Sequence, residues 1–195
     1  ITKENKKVLV LGYYSSLDFG NLAMINGFIK KYKGYELYLA TFYPSIERII
    51  LKDVNIINIL HLQQIFKLLK ESISIHLIFG DSLTGRYGLF SKLFVLYSLI
   101  LANIFPKKCV IEASTIFPSK FSLSLLRILL ARIKEIKVRE KKFLHTIKIL
   151  NKNSRLSIDL SAIYLKSFKN KRFKKRNKIV FVIRNVSNKL MNIKR

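Results

Sequence analysis

Short runs of apolar residues recur along the chain, and within each run nearly every residue is apolar. The runs cover residues 8–11, 37–40, 54–57, 75–79, 109–111 and 136–138. Continuous rather than alternating apolar residues are typical of strands that are covered on both faces of a sheet. The pattern therefore predicts about six buried strands. The first is apolar at every position and should lie in the interior of the sheet.

Between these runs, apolar residues recur at the spacing of one helix face. This holds for Leu22, Ile25, Phe28, Ile29 and Tyr32, for Leu62, Ile65, Phe66 and Leu69, and for Leu126, Leu129, Leu130 and Ile133. Residues 93–105 are apolar but fewer than the roughly 20 that a membrane span needs, so we predict a buried helix there. Alternating strands and helices indicate βαβ units with right-handed crossovers. We therefore predict an α/β fold with a Rossmann-like, mostly parallel sheet and helices on both faces.

The composition changes near the carboxyl end of the sequence. Residues 166–195 contain 12 Lys or Arg and no acidic residue, and they include another buried-type strand at 179–183. A lone strand cannot bury a core by itself. We therefore expect a Rossmann-like domain over residues 1–165, a basic linker over 166–177, and the truncated start of a second Rossmann-like domain over 178–195.

The chain is strongly basic, with 37 Lys or Arg against 11 Asp or Glu and a formal net charge of +26. A surplus of this size attracts anionic partners. An acidic polymer, a phosphorylated sugar, an anionic membrane face and nucleic acid all remain open. Nucleic acid is the weakest of these, because the charges are scattered and no RNA- or DNA-binding motif accompanies them.

Several classes of catalytic site have no support in the sequence. The single cysteine, Cys109, cannot form an intrachain disulfide and begins an apolar run, so we interpret it as a core residue. His61, His76 and His145 have no metal-ligand spacing. No G-x-S-x-G, C-x-x-C or H-E-x-x-H motif occurs. Hydrolase and zinc-enzyme interpretations therefore have no support, and we expect no cofactor.

The loop after the first strand is a candidate binding segment, since ligands of open α/β sheets bind at the carboxyl ends of the strands. It begins at Gly12, carries the hydroxyls of Tyr14, Ser15 and Ser16, and runs to Asn21 at a predicted helix start. Backbone N–H groups in such a turn can bind an anion or a sugar. An ordinary strand-to-helix turn with an Asn cap would need the same residues, so both interpretations stay open.

The loop after the fourth strand, residues 80–88, holds three glycines, several hydroxyls, an acid and an Arg. This exceeds what a simple connection needs. Asp81, between Gly80 and Ser82, could take a proton from a substrate hydroxyl, or it could cap a helix. We favour the ligand-facing role.

Two further strand ends carry an arginine. Thr115 follows the fifth strand, Arg139 and Glu140 follow the sixth, and Arg184 ends the run at 179–183. A guanidinium there can bind a carboxylate or phosphate, although Arg139 could equally pair with Glu140 or a neighbouring loop. Parallel strands place such loops at one edge. We therefore expect one cleft lined by Tyr14, Ser16, Asp81, Ser82, Thr115 and Arg139.

The order of these segments resembles the polysaccharide pyruvyl transferase family over residues 8–184. The resemblance is carried by the first strand with its Gly-Tyr-Tyr loop, Gly80-Asp81-Ser82-Leu83-Thr84 with Tyr87-Gly88, the turn Ser114-Thr115-Ile116-Phe117-Pro118, Val138-Arg139-Glu140, Asp159 with Ala162, and the strand that ends in Arg184. It implies two Rossmann-like domains that face each other across a cleft, as in GT-B glycosyltransferases.

The resemblance also implies a reaction, in which the pyruvyl group of phosphoenolpyruvate is transferred to a sugar of a surface glycan as a cyclic ketal. The partners would be phosphoenolpyruvate and a sugar or glycan-lipid acceptor. We expect a cytoplasmic protein, and its positive charge leaves open a peripheral contact with the inner, anionic face of the membrane. Arg139 and Arg184 suit the polyanionic donor, and Asp81 or Glu140 suits the proton transfers. The first domain would hold the acceptor and the second most of the donor.

The sequence departs from the family's usual pattern at several positions. Asn21 stands where the family usually has Asp, Thr115-Ile116-Phe117-Pro118 where it usually has Ser-Ile-Gly-Pro, and Phe143 where it usually has Ser. These departures favour a second hypothesis, a non-catalytic relative that kept the fold and binds a glycan or another partner. A basic nucleic-acid-binding protein is the third hypothesis, and only the net charge supports it.

Overall fold

Strands and helices alternate along the chain in this computed structural model, which describes residues 6–13, 15–80, 89–115 and 123–166. The strands are β1 Lys7–Leu11, β2 Glu36–Thr41, β3 Asn55–Asn58, β4 Ser74–Leu77, β5 Cys109–Ser114, β6 Glu135–Val138 and β7 Ser154–Leu156. The helices are α1 Phe19–Lys31, α2 Pro44–Ile50, α3 Leu62–Glu71, α4 Leu89–Ala102, α5 Leu123–Arg132, α6 Lys141–Leu150 and α7 Leu160–Lys166. A short 3-10 turn, Pro106–Lys108, precedes β5.

The seven strands form one sheet in the order β3-β2-β1-β4-β5-β6-β7, and every neighbouring pair is parallel. β1 lies between β2 and β4, and its apolar residues 8–11 are at most 1% exposed. The predicted Rossmann-like α/β fold and the interior position of the first strand are therefore confirmed. The direction of winding reverses between β1 and β4, which makes this the topological switch point of the sheet.

Successive side chains of each strand point to opposite faces of the sheet, and each face has its own core. Val8 and Val10 of β1 pack with residues of α1 and α7 on one face. Leu9 and Leu11 pack on the other face with residues of α3, α4, α5 and α6. Right-handed crossovers move the connecting helices to the opposite face once the winding direction reverses. α7, which follows the last strand, returns to the first face.

Several details of the predicted elements differ. β7 was not predicted because it has no apolar run; as the last strand of the sheet it leaves Arg155 and Leu156 exposed. α2 was missed because its buried residue is the charged Glu47 rather than an apolar stripe. β5 extends beyond the apolar run at 109–111 to Ser114, so Glu112 is a strand residue. Elements whose buried residues follow no regular apolar spacing cannot be predicted from hydrophobic periodicity.

The buried helix predicted at residues 93–105 corresponds to α4, which begins earlier and ends before Asn103. Over the described ranges, no helix combines the length and apolar character needed to cross a membrane. The predicted linker and the strand at 179–183 lie outside the described residues, so the second domain stays a prediction.

α1 and α7 approach each other closely at Gly27. A Cβ atom built on Gly27 would lie 1.8 Å from the carbonyl oxygen of Leu160, the first residue of α7. No side chain fits in that space, so glycine is required here for steric reasons. Leu160 is 1% exposed and shares a core with Phe28 of α1. This close approach lets α1 and α7 cover one face of the sheet together.

A buried carboxylate joins three strands to α1. Glu112 of β5 accepts hydrogen bonds from Lys137 of β6 at 2.9 Å, from Lys31 of α1 at 2.9 Å and from Tyr32, the C-cap of α1, at 3.0 Å. Its Oε1 also lies 3.0 Å from Nδ1 of His76 on β4. The Glu112 side chain is 0% exposed. A buried charge is tolerated only when it is paired in this way.

Burial lowers the pKa of His76 below its ordinary value of 6.5, so the ring is neutral at neutral pH. The neutral ring donates from Nδ1 to Glu112, and its Nε2 accepts from the Ser74 hydroxyl 3.0 Å away. Burial alone would raise the pKa of Glu112, but the His76 hydrogen bond and the nearby charges of Lys137 and Lys31 hold that pKa well below 4.5. Glu112 is therefore ionised inside the fold.

Replacing Gly27 should test the contact between α1 and α7. Gly27→Ala forces α7 to move away from α1, and we expect it to lower the free energy of unfolding by about 1–3 kcal/mol, the usual cost of overpacking. Asn26→Ala is the matched control, because it removes only a hydrogen bond to the Leu22 carbonyl of the same helix. Urea unfolding measures both variants. Equal stability of Gly27→Ala and the wild type would show that the helices do not meet as described.

The stability of the protein should decrease as the pH falls. Because the pKa of His76 is lowered in the folded state, the unfolded chain binds this proton more readily, and the free energy of unfolding decreases below pH 6.5. The pKa of Glu112 is also lowered, so its contribution is present above 4.5 and is lost as the pH falls further. Urea unfolding at a series of pH values measures both losses.

The His76→Gln variant should be less stable than the wild type at pH 7 but should lose the decrease that begins near pH 6.5. His145→Gln is the control, because His145 is exposed on α6, and it should keep the wild-type profile. If His76→Gln also kept that profile, the acid sensitivity would have another source.

Candidate functional site

The loops that follow the parallel strands lie at one edge of the sheet, which we call the carboxyl edge. Gly12 and Gly80 stand there on either side of the switch point, with φ values of 77° and 54° that favour glycine. A Cβ on Gly12 would lie 2.5 Å from Phe79, and one on Gly80 would lie 2.9 Å from Met24. These close approaches fix the path of the chain at the start of both loops.

The hydroxyls of Tyr13, Ser15 and Ser16 in the first loop are bonded within the protein. The Ser16 hydroxyl donates to the Glu47 carboxylate of α2, and the Ser16 N–H donates to the same carboxylate at 2.8 Å. Tyr13, whose pKa is raised by burial, donates to Ser16 Oγ at 2.7 Å. Ser15 Oγ accepts from the Leu17 N–H at 3.1 Å. Ser15 and Ser16 are each 4% exposed, so in this conformation both serines maintain the shape of the loop and present little surface to a ligand.

The helix cap of this loop is Asp18 rather than an asparagine. α1 begins at Phe19, and Asp18 Oδ1 accepts the Asn21 N–H at 3.1 Å. Asn21 therefore lies in the first turn of the helix, where it is half-buried. A carboxylate suits this position because it also interacts favourably with the helix dipole.

Thr115 connects the loops that follow β4, β5 and β6. Its backbone N–H donates to the Gly80 carbonyl at 3.0 Å. Its hydroxyl accepts from Arg139 Nε at 2.7 Å and donates to Glu140 Oε1 at 2.9 Å. Thr115 is only 6% exposed, and shielding from water strengthens such bonds. Three of the predicted site residues, Thr115, Arg139 and Glu140, are thus in direct contact, with Gly80 beside them.

Arg139 also reaches the loop after β7. Its Nη1 lies 3.1 Å from Asp159 Oδ2. The other Asp159 oxygen accepts from the N–H and the hydroxyl of Ser161, at 2.8 and 2.7 Å, in the first turn of α7. Asp159 therefore caps α7 with one carboxylate oxygen and orients the Arg139 guanidinium with the other. We call Thr115, Arg139, Glu140 and Asp159 the carboxyl-edge cluster.

Among the described residues, the charges of this cluster and of the neighbouring Lys142 balance. Lys142 Nζ lies 2.9 Å from Glu140 Oε2, and Arg139 Nε lies 3.9 Å from Glu140 Oε1. The hydrogen bond from Lys142, with a further one from Thr115, lowers the pKa of Glu140. Two cations thus face the carboxylates of Glu140 and Asp159. Donors and acceptors side by side suit a hydroxyl-bearing ligand such as a sugar better than an isolated anion.

The remaining predicted site residues are Tyr14, Asp81, Ser82 and Arg184, and all four lie outside the described residues. The convergence of Tyr14, Asp81 and Ser82 on the carboxyl edge stays a prediction, as does the position of Arg184 on the donor side of the cleft. Asp159 had no predicted site role, although an acid just before a helix is a recognisable cap signal. Its contact with Arg139 could not be found from the sequence, because it depends on β6 and β7 being neighbours.

The part of the chain that the structure describes offers neither a metal site nor a reactive thiol. Within it, no group of three or more His, Cys, Asp or Glu side chains could hold a metal ion. The Cys109 thiol donates to the carbonyls of Ala102 and Phe105, and burial raises its pKa to about 12. A thiol with this pKa is not ionised at neutral pH, which agrees with its interpretation as a core residue.

The fold and the carboxyl-edge cluster together define a Rossmann-like α/β protein with a polar, charge-balanced site at the carboxyl ends of its strands. The chain matches no family model, no curated protein and no solved structure. The resemblance to pyruvyl transferases therefore stays a hypothesis that rests on the motifs of the sequence.

Removal of the Thr115 hydroxyl should loosen the cluster. Thr115→Val keeps the volume but breaks both side-chain hydrogen bonds, and leaving charged partners unsatisfied should cost about 1–3 kcal/mol of the free energy of unfolding. Thr115→Ser keeps the hydroxyl and should retain most of that stability. Comparing the two variants by urea unfolding measures the contribution of the hydroxyl to the free energy of unfolding. A valine variant as stable as the serine variant would show that the hydroxyl does not hold Arg139 and Glu140.

Proposed function

We propose that this chain contains the acceptor-side domain of a polysaccharide pyruvyl transferase-like enzyme with a GT-B-like architecture. The enzyme transfers the pyruvyl group of phosphoenolpyruvate to a sugar of a surface glycan. One observation carries the proposal: Arg139, held by Thr115 and Asp159, lies beside the ionised Glu140 at the carboxyl edge. The family resemblance adds the order of the motifs.

The charge balance of the cluster supports an acceptor-side role. Arg139 can donate hydrogen bonds to sugar oxygens, and Glu140 can accept from sugar hydroxyls. Because the pKa of Glu140 is lowered, its carboxylate is ionised at neutral pH and can accept a hydroxyl proton but has none to donate. The same lowered pKa makes it a weak base, so its position beside Arg139 and not its pKa makes Glu140 the candidate. The proton that the enol carbon of phosphoenolpyruvate must gain then comes from another group, and Asp81 is the candidate. Arg184 is the candidate for binding the anionic donor.

The test is pyruvyl transfer itself. Incubation of the full-length, two-domain enzyme with phosphoenolpyruvate and surface-glycan oligosaccharides should release inorganic phosphate, and the acceptor should gain one ketal-linked pyruvyl group detectable by mass spectrometry. Asp81→Asn should lower turnover far more than it lowers stability. Phosphoenolpyruvate that stays intact with every acceptor offered would contradict the proposal.

Substitutions of Arg139 and of Arg184 should raise the KM of different substrates. Arg139→Lys keeps the charge but loses the fork that Thr115 and Asp159 orient, so the KM of the sugar acceptor should rise roughly tenfold, as expected for one charge-assisted hydrogen bond. Arg184→Ala should instead raise the KM of phosphoenolpyruvate. Arg132→Lys, at an exposed position of α5, is the control. An unchanged acceptor KM in Arg139→Lys would remove Arg139 from the acceptor site.

A non-catalytic glycan-binding relative is the second candidate. Phe143 of α6 and Asn21 of α1 replace the polar and acidic residues that the family usually has, while the carboxyl-edge cluster is intact. Under this alternative, glycan oligosaccharides bind the protein, the Arg139→Lys variant binds them more weakly, and no phosphate is released.

A further inference from the structure

An exposed apolar stripe runs along α4 on the side that faces away from the sheet. Leu89, Leu93 and Ile100 recur at helical spacing on α4, Ile104 follows in the turn after the helix, and all four are exposed, Leu93 by 55% and Ile100 by 50%. The opposite side of the helix, including Leu99, is buried in the core. Because α4 already packs on the sheet through that buried side, the stripe is a second apolar surface that the core does not use.

The neighbouring helix α5 extends this surface. Leu125 and Ile128 are exposed on α5, Ile128 by 60%. The two helices lie side by side on the same face of the sheet, and the Asn103 side chain just after α4 donates to the Leu129 carbonyl of α5 at 3.2 Å. Their exposed sides therefore point the same way. We call this surface the outer α4–α5 face, made of Leu89, Leu93, Ile100, Ile104, Leu125 and Ile128.

Cations border this face, and exposed acids are missing from its helices. Lys92 on α4, Arg127 and Arg132 on α5 and Lys107 between the helices are all exposed. Across the described residues 89–115 and 123–134 the only acid is Glu112, which is wholly buried and paired. The chain as a whole carries a net charge of +26. The outer α4–α5 face is thus apolar at its centre and positive around it.

We propose that the outer α4–α5 face binds an anionic lipid surface, with α4 lying in the plane of the membrane. Apolar side chains between basic ones are the pattern by which helices insert among acyl chains while cations contact acidic headgroups. α4 has 14 residues, which is too short to cross a bilayer of about 30 Å. The interaction is therefore peripheral, and it does not depend on pyruvyl transfer.

Two other occupants fit the observations less well. A second copy of the chain would bring an equally basic molecule against this face, and like charges oppose that association. Nucleic acid would engage the cations but would leave the apolar stripe in water, since phosphate backbones offer it nothing to contact. Both occupants become outcomes of the test below.

The test compares binding to vesicles of phosphatidylcholine with binding to vesicles that also contain phosphatidylglycerol. In co-sedimentation, the wild-type chain should bind the anionic vesicles at least tenfold more tightly, since basic residues near the surface act through its negative potential. Raised salt should weaken the binding without abolishing it, because the apolar contacts remain.

Paired substitutions locate the contact. The double variant Ile100→Gln with Ile128→Gln should lower binding to anionic vesicles by at least tenfold. Ile49→Gln is the matched control, because Ile49 is a 72% exposed residue of α2 on another part of the surface, and it should bind as the wild type does. Arg127→Gln with Arg132→Gln should weaken binding to anionic vesicles only. These positions are exposed, and thermal unfolding checks that each variant folds.

A fluorescent reporter gives a second, independent readout. The chain contains no Trp, so Leu93→Trp places a single indole on the outer α4–α5 face and Ile49→Trp places one on α2. Anionic vesicles should shift the emission of the first to shorter wavelength and leave the second unchanged.

Four results would overturn the proposal. Equal shifts at both reporters, or binding that salt abolishes and the isoleucine substitutions do not change, would show non-specific attraction of a basic protein. A dimer in analytical ultracentrifugation that Ile100→Gln with Ile128→Gln dissociates, without vesicle binding, would assign the face to a second copy. Nucleic-acid binding that these substitutions weaken, again without vesicle binding, would assign it to nucleic acid.

Discussion

The ionised Glu112 carboxylate is the constraint on which the arrangement of strands and helices depends. A buried charge is costly unless cations and hydrogen-bond donors surround it. Here the donors come from β4, β6 and α1, through His76, Lys137, Lys31 and Tyr32. All of them reach Glu112 only when β5 lies between β4 and β6 and α1 is seated on this face. Alternative strand orders would leave the charge unpaired, so the network favours this topology over others.

The same topology creates the site at the carboxyl edge. Because every described strand runs in one direction, the segments after β4, β5, β6 and β7 meet at one edge, and the Thr115 backbone N–H, the Thr115 hydroxyl and the Arg139 guanidinium connect them. Asp159 links this cluster to α7, and Gly27 lets α7 lie against α1. The site and the packing of the first face are therefore parts of one connected structure.

The surfaces of the domain differ in chemistry. The carboxyl edge presents balanced charges suited to hydroxyl groups, whereas the outer α4–α5 face presents apolar residues bordered by cations. A glycan-modifying enzyme whose acceptor is carried on a lipid would use both, with one surface against the membrane and the adjoining edge toward the sugar. The two proposals are nevertheless separable, because Arg139 belongs to the cluster and Ile128 to the outer face.

Local patterns in the sequence were enough to determine the α/β class and the interior position of β1, because continuous apolar runs and helical stripes depend only on nearby residues. They also located Thr115, Arg139 and Glu140 at strand ends. The tertiary structure alone decided what those residues contact: Arg139 meets Thr115 across 24 positions and Asp159 across 20. Two polar elements lack the regular apolar spacing that predicts strands and helices. They are β7, with its exposed Arg155, and α2, with its buried Glu47. Their places follow from strand pairing and from burial of a charge, which are long-range properties of the folded chain.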